Sequence, residues 1–141
     1  MKFLLIFFCF LSFLLTYAQQ AETNQRYSTF TIDAPQLKTK KKIWVYLPKE
    51  YENSNKKYPV IYMHDAQNLF DAKTSYAGEW KVDETSDSLK VNAIIVGIEH
   101  GNDKRMEELT PFKNEKYGGG KADLYLDFIA FTLKPHIDST Y

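Results

Sequence analysis

Cysteine is almost missing from this chain: Cys9 is the only one in 141 residues. Histidine is scarce, with three, and neither charge is in surplus, because 18 Lys+Arg face 18 Asp+Glu. Each shortage excludes something. A single cysteine allows no intrachain disulfide and no thiolate cluster around a structural metal. Zero net charge removes the basic surplus that a nucleic-acid binder sets against phosphates. It also removes the polybasic segment of a membrane-surface protein and the acidic tail of a charge-driven interaction module.

Long apolar stretches are equally few. One spans Phe3 to Leu15 and is interrupted only by Ser12. Lys2 precedes it, and Thr16-Tyr17-Ala18 follows with a small residue at its end. A charged start, a short apolar centre and a small-residue exit describe a secretory signal peptide over residues 1–18, cleaved near Ala18. A spanning helix needs about 20 apolar residues, so the run is too short for an anchor. Cys9 leaves with the signal and lacks the small residues that precede a lipidated cysteine. The expected location is secreted or periplasmic, with no membrane contact after cleavage.

The rest divides by pattern. Residues 19–26 are polar and read as a flexible lead-in. Phe30 and Ile32 alternate with threonines as a short strand, and Lys42 to Leu47 alternates as a second. In the second, Ile43, Val45 and Leu47 share one face, and Trp44 and Tyr46 the other. Pro59 to Met63 and Val91 to Ile98 are nearly continuous apolar runs, the pattern of strands buried on both faces of a parallel sheet. The residues between them hold a crossover helix, placed within Trp80 to Lys90. A long polar loop is expected up to Gly120. Ala122 to Leu133 then has helical spacing, with Leu124, Phe128 and Phe131 on one side and Tyr125, Ile129 and Leu133 beside it; Pro135 ends or kinks this helix. The order is that of an α/β fold.

In such a sheet, ligands bind beyond the carboxyl ends of the parallel strands. Two polar segments fall there, His64 to Asp71 and Glu99 to Arg105. Polar residues at strand ends also cap loops and helices, but two dense clusters at one edge favour a binding site. A metal set drawn from His64, Asp65, Asp71, Glu99 and His100 has no compact ligand pair, so no metal is expected. Gly118-Gly119-Gly120-Lys121 has the glycines of a phosphate loop. Ala122 stands where Ser or Thr would bind magnesium, however, and no strand directly precedes the glycines, so a mobile loop before a helix is expected.

Tyr58 to Asp71 (Tyr-Pro-Val-Ile-Tyr-Met-His-Asp-Ala-Gln-Asn-Leu-Phe-Asp) resembles the early core motif of the esterase branch of the α/β-hydrolase fold. Enterochelin esterase, feruloyl esterase and formylglutathione hydrolase belong to that branch. The resemblance continues through Gly78 to Glu84, Ile95 to His100, Arg105, Thr110-Pro111 and the Tyr125 to Asp138 helix. It implies that the loop after the third strand supplies one oxyanion-hole N–H, by position that of Gln67. Asp65 and Asn68 would shape that loop, with Trp80, His100 and Arg105 as further substrate-binding candidates. The relatives usually carry glycine where this chain has Ala66, and a methyl there is unfavourable if the turn needs positive φ.

Such enzymes place their nucleophile in Gly-x-Ser-x-Gly. Here the residues two positions after the six glycines are Trp80, Glu99, Asp103, Gly120, Lys121 and Ala122. In this fold the triad order is Ser, acid, His, so all three are expected beyond Tyr141, and His64, His100 and His136 are not assigned to it.

The expectation is a three-layer α/β-hydrolase fold that is incomplete and ends before the nucleophile turn, with residues 27–141 forming the N-terminal part of the domain. Its function is that of the N-terminal portion of a secreted serine esterase-like hydrolase acting on small-molecule or carbohydrate-linked carboxylic esters without a cofactor, itself lacking the triad and inactive alone. The alternative is a non-catalytic secreted carbohydrate- or ligand-binding module, with Trp80 and the tyrosines as stacking surfaces, or a decayed gene product. Taken alone, residues 19–141 are expected to expose the edge of the third strand and to leave Phe128 or Phe131 wet, and so to aggregate.

Overall fold

The computed structural model describes residues 26–141. The expected signal peptide and nearly all of the expected lead-in lie outside the described residues. Arg26, the last lead-in residue, is tied down by an ion pair from its Nη1 to Asp87 Oδ1 at 3.0 Å.

Four strands, β1 (Tyr27–Ala34), β2 (Thr39–Tyr46), β3 (Val60–His64) and β4 (Ile94–Ile98), form one sheet in the order β1-β2-β4-β3. β1 and β2 pair antiparallel across a 3-10 turn at Pro35–Leu37, β2 pairs antiparallel with β4, and β4 pairs parallel with β3. The helical segments are α1 (Val82–Ser88), α2 (Arg105–Leu109), α3 (Ala122–Phe128) and α4 (Lys134–Thr140), with a π turn at Ile129–Leu133 between the last two. No helix among the described residues is long and apolar enough to cross a membrane.

The alternation in β2 separates two cores. Ile43 and Val45 pack with Ile94, Val96 and Ile98 of β4 beneath Tyr125, Phe128, Leu133 and Ile137. Trp44 and Tyr46 point the other way and pack with Ile95, Ala66, Leu69 and Phe70. β4 lies between two strands and all five of its residues are buried, which explains its unbroken apolar run. β3 is not buried on both faces as such a run implies, because Ile61 is 43% exposed. Its free edge is the one expected, since among the described strands it pairs only with β4. A strand at the sheet margin keeps apolar residues without a second neighbour to cover them.

α1 falls inside the expected window. α2 does not follow from the sequence, which reads as polar loop there; one and a half turns are too short to show a helical period. The final helix runs past Pro135 to Thr140, so the proline does not end it and the helix expected over Tyr125 to Asp138 is present. Proline has no N–H to donate and crowds the carbonyl four residues back. The π turn just before it widens the helix, with Lys134 N–H reaching Ile129 O. The same widening moves the buried stripe. Phe128 and Leu133, five residues apart, are both fully buried, whereas Phe131 is 73% and Leu124 42% exposed. Uniform helical spacing had grouped Phe131 and Leu124 with Phe128.

The triglycine segment is hydrogen-bonded into the structure. Gly120 N–H donates to Thr110 O at 2.9 Å and Lys121 N–H to Glu107 O at 2.9 Å. Gly119 has φ +106, and a β-carbon there would lie 2.5 Å from Phe112 O, so the backbone approach itself demands glycine.

Candidate functional site

β3 and β4 end level, with His64 opposite Ile98. The segments that follow them therefore leave the sheet at one edge. After β3 the chain reverses at Asp65, whose φ of 56° and ψ of 44° are left-handed. Aspartate is among the few non-glycine residues that tolerate this region. Ala66–Asn68 then forms a single 3-10 turn, in which Asn68 N–H donates to Asp65 O at 2.9 Å. The positive φ anticipated at Ala66 thus belongs to Asp65. Ala66 is fully buried, and its methyl fills the space above Gly97 of β4.

Gln67 is central to this turn. Its carbonyl accepts from Thr74 Oγ1 at 2.8 Å. Its backbone N–H has no hydrogen-bond partner among the described residues, as expected for an early turn donor. Its side-chain Oε1 is also buried without a partner. Asn68 braces the downstream loop: Oδ1 accepts from Tyr76 N–H at 3.0 Å, and its carbonyl accepts from Trp80 N–H at 2.7 Å. Trp80 is thereby held beside the turn, with the residue 53% exposed.

α2 reaches the same turn from the second segment. Arg105 Nε and Nη2 each donate to Asp65 at 2.8 Å, a two-pronged ion pair whose carboxylate is largely buried. The guanidinium's hydrogen bonds hold the Asp65 carboxyl below its usual pKa against the opposing effect of burial. Three residues on, Glu108 pairs with Lys41 of β2, and both side chains are buried. Gly101 admits this pairing, since a β-carbon there would lie 2.8 Å from Glu108 Oε1. On the same side, Tyr125 Oη lies 3.0 Å from His64 Nδ1. Burial, then the negative charges of Glu108 and Asp65, push the Tyr125 phenol well above its usual pKa.

Of the residues singled out from the sequence, Asp65 and Arg105 meet directly, and Gln67, Asn68 and Trp80 share one hydrogen-bonded loop. His100 stands on the second segment, where its Nδ1 accepts from Asn102 N–H at 2.8 Å and shapes its own turn. Sequence reasoning missed Lys41, Glu108 and the His64–Tyr125 contact. The available signal was alternation: Lys41 shares a β2 face with Ile43 and Val45, but its neighbours Lys40 and Lys42 disguise it as part of a solvated run.

The five residues considered as metal ligands are dispersed among other partners. Asp65 holds Arg105, Glu99 accepts from Trp44 Nε1 at 3.1 Å, and Asp71 accepts from the Tyr27 hydroxyl at 3.3 Å. A different acidic group, Glu79, Asp83 and Glu84, brings its carboxylates within 4.8 Å of one another. Burial, together with the neighbouring Glu84, pushes Asp83 up to about 6.

A mixed sheet with cores on both faces and a tight 3-10 turn at the carboxyl edge of its parallel pair places the chain in the α/β-hydrolase class. A family model described as "Putative esterase" matches residues 34–141, and the chain belongs to that family. Among solved structures it is similar to an IroE-like serine hydrolase from Shewanella oneidensis, at 27% identity and a TM-score of 0.64, covering 80% of this chain and 38% of that one. It is also similar to a CE1 ferulic acid esterase from Anaeromyces mucronatus solved with ferulic acid, at 26% identity and a TM-score of 0.52, covering 82% and 43%. The BES protein from Bacillus cereus shares the fold at 21% identity and a TM-score of 0.61, covering 84% and 47%. The chain thus spans less than half the length of these relatives. No curated protein matches it.

Proposed function

We propose that this chain is the N-terminal portion of a secreted serine esterase that cleaves small-molecule carboxylic esters. It forms one wall of the pocket and contributes the Gln67 N–H to the oxyanion hole. The Ser, acid and His of the triad come from residues other than these 141. In that enzyme, serine Oγ attacks the ester carbonyl, and the carbonyl oxygen gains negative charge as the tetrahedral intermediate forms. A donor fixed in advance stabilises that charge without reorganising. Asp65 and Arg105 fix the turn, Asn68 and Trp80 extend it, and His100 borders the second loop at the same edge.

The observation that carries this reading is the unpartnered Gln67 N–H in a braced 3-10 turn at the sheet's carboxyl edge. Similarity to a ferulic acid esterase supports an ester of a small carboxylic acid as the substrate class. The test is a fluorophosphonate probe applied to the native polypeptide that carries this segment, followed by mapping of the labelled residue. A label on a serine in Gly-x-Ser-x-Gly outside residues 1–141 supports the proposal. A label on a serine within them, or a folded polypeptide that takes no label but binds carbohydrate, overturns it in favour of a different nucleophile or of a binding module.

A further inference from the structure

Two residues at this edge have no part in the oxyanion turn. His64 closes β3 and is exposed, whereas Tyr125 of α3 is 3% exposed. Their rings lie 5.5 Å apart between centroids at a tilt of 48°, with Tyr125 Oη 3.0 Å from His64 Nδ1. A buried phenol hydrogen needs an acceptor. Among the described residues the Tyr125 hydroxyl has one partner, His64 Nδ1.

The surrounding charges do not alter that assignment. Glu108 is taken by Lys41, whose Nζ lies 5.9 Å from the Tyr125 ring centroid, and Asp65 is taken by Arg105. Neither carboxylate is bonded to His64, so no stronger acceptor draws a hydrogen onto Nδ1. The phenol stays protonated because burial raises its pKa. The hydroxyl donates, Nδ1 accepts, and a neutral imidazole then carries its hydrogen on Nε2.

We propose that His64 is a substrate-binding residue that offers its Nε2–H to an oxygen of the ester's acid or alcohol group, and that Tyr125 is the positioning residue that holds it in this tautomer. The substrate contact rests on the esterase reading above; the tautomer does not. His64 ends β3 immediately before the Asp65 turn, so it stands at the same sheet edge as that turn. A neutral donor there orients a substrate oxygen without adding a charge that would compete with Arg105 for Asp65.

Long-range proton–nitrogen NMR of the native polypeptide, in alkaline buffer where histidine is neutral, reads the tautomer directly. The expected spectrum shows Nδ1 as a bare nitrogen and Nε2 as a protonated one. Tyr125→Phe keeps the buried ring and should move both signals toward a tautomeric average. A protonated Nδ1 in the wild type, or an unchanged spectrum in the variant, overturns the inference whatever the activity. For the substrate contact, His64→Leu should raise KM about three- to tenfold, the loss expected for one neutral hydrogen bond. His64→Gln, which keeps an N–H, should recover most of it. An unchanged KM in His64→Leu overturns the contact. If the polypeptide turns over no ester at all, the esterase reading and the contact fall together, while the spectrum still decides the tautomer.

Discussion

Ala66 and Gly97 are complementary across the sheet: a β-carbon built on Gly97 would lie 2.8 Å from the Ala66 methyl and 2.9 Å from Leu69 Cδ1. One position supplies the methyl and the other leaves room for it. Gly97→Ala should therefore overpack this core and cost about 1–3 kcal/mol. Ala66→Gly, with the left-handed residue now located at Asp65, should cost about 1 kcal/mol through a lost buried methyl and a freer unfolded chain. The double variant should recover part of the Gly97→Ala loss. Urea unfolding of the four proteins measures the coupling, and strictly additive losses would deny the contact.

The Asp65–Arg105 pair makes a prediction about acid. The Asp65 pKa is depressed in the folded state, so its stabilisation is fully present above the unfolded carboxylate value of about 3.9 and is lost as pH falls through the folded value. Asp65→Asn keeps a residue that tolerates left-handed backbone and removes the charge together with one of the two acceptors that Arg105 uses. Because the half-exposed guanidinium is screened by water, its cost at neutral pH should be about 1 kcal/mol. Below pH 4 the wild type and the variant should converge in urea midpoint. A gap that persists undiminished toward pH 2 would mean that the charge is not the source.

Lys41 and Glu108 are both buried, and each is left with an unmatched charge if its partner is removed. Lys41→Met or Glu108→Leu alone should cost about 3–5 kcal/mol, whereas the two together should restore much of the stability. Because α2 carries both Glu108 and Arg105, the single variants should also loosen the Asp65 turn. Faster hydrogen exchange at Asn68 and Leu69 would register this. Single variants as stable as the wild type would show that the pair is solvated rather than buried.

The oxyanion assignment separates backbone from side chain at Gln67. In the active polypeptide, Gln67→Ala should leave turnover close to wild type, because the donor is the N–H. Gln67→Pro removes that donor and should lower kcat about 10²–10³-fold. Circular dichroism and an unchanged urea midpoint establish that the proline variant is folded. A folded proline variant with normal kcat would place the donor elsewhere.

The sequence alone determined what depends on neighbours along the chain. Alternation in Lys42 to Leu47 separated the two faces of β2, the nearly continuous apolar run at Val91 to Ile98 marked a strand buried on both faces, and Tyr58 to Asp71 carried the family likeness. Those signals are local because side-chain direction in a strand repeats every two residues. What tertiary structure decided depends on residues far apart in sequence. Lys41 is charged in a charged run, and only the arrival of Glu108, sixty-seven positions later, makes its burial tolerable. The left-handed residue of the turn after β3 is Asp65 rather than Ala66 because Arg105 holds Asp65 and Gly97 receives the alanine methyl. The π turn before Pro135 moved the buried face from Phe131 to Leu133. A period of 3.6 cannot report an extra residue, because the widened turn forms where packing of Phe128, Leu133 and Ile137 against the sheet outweighs the better geometry of a regular helix.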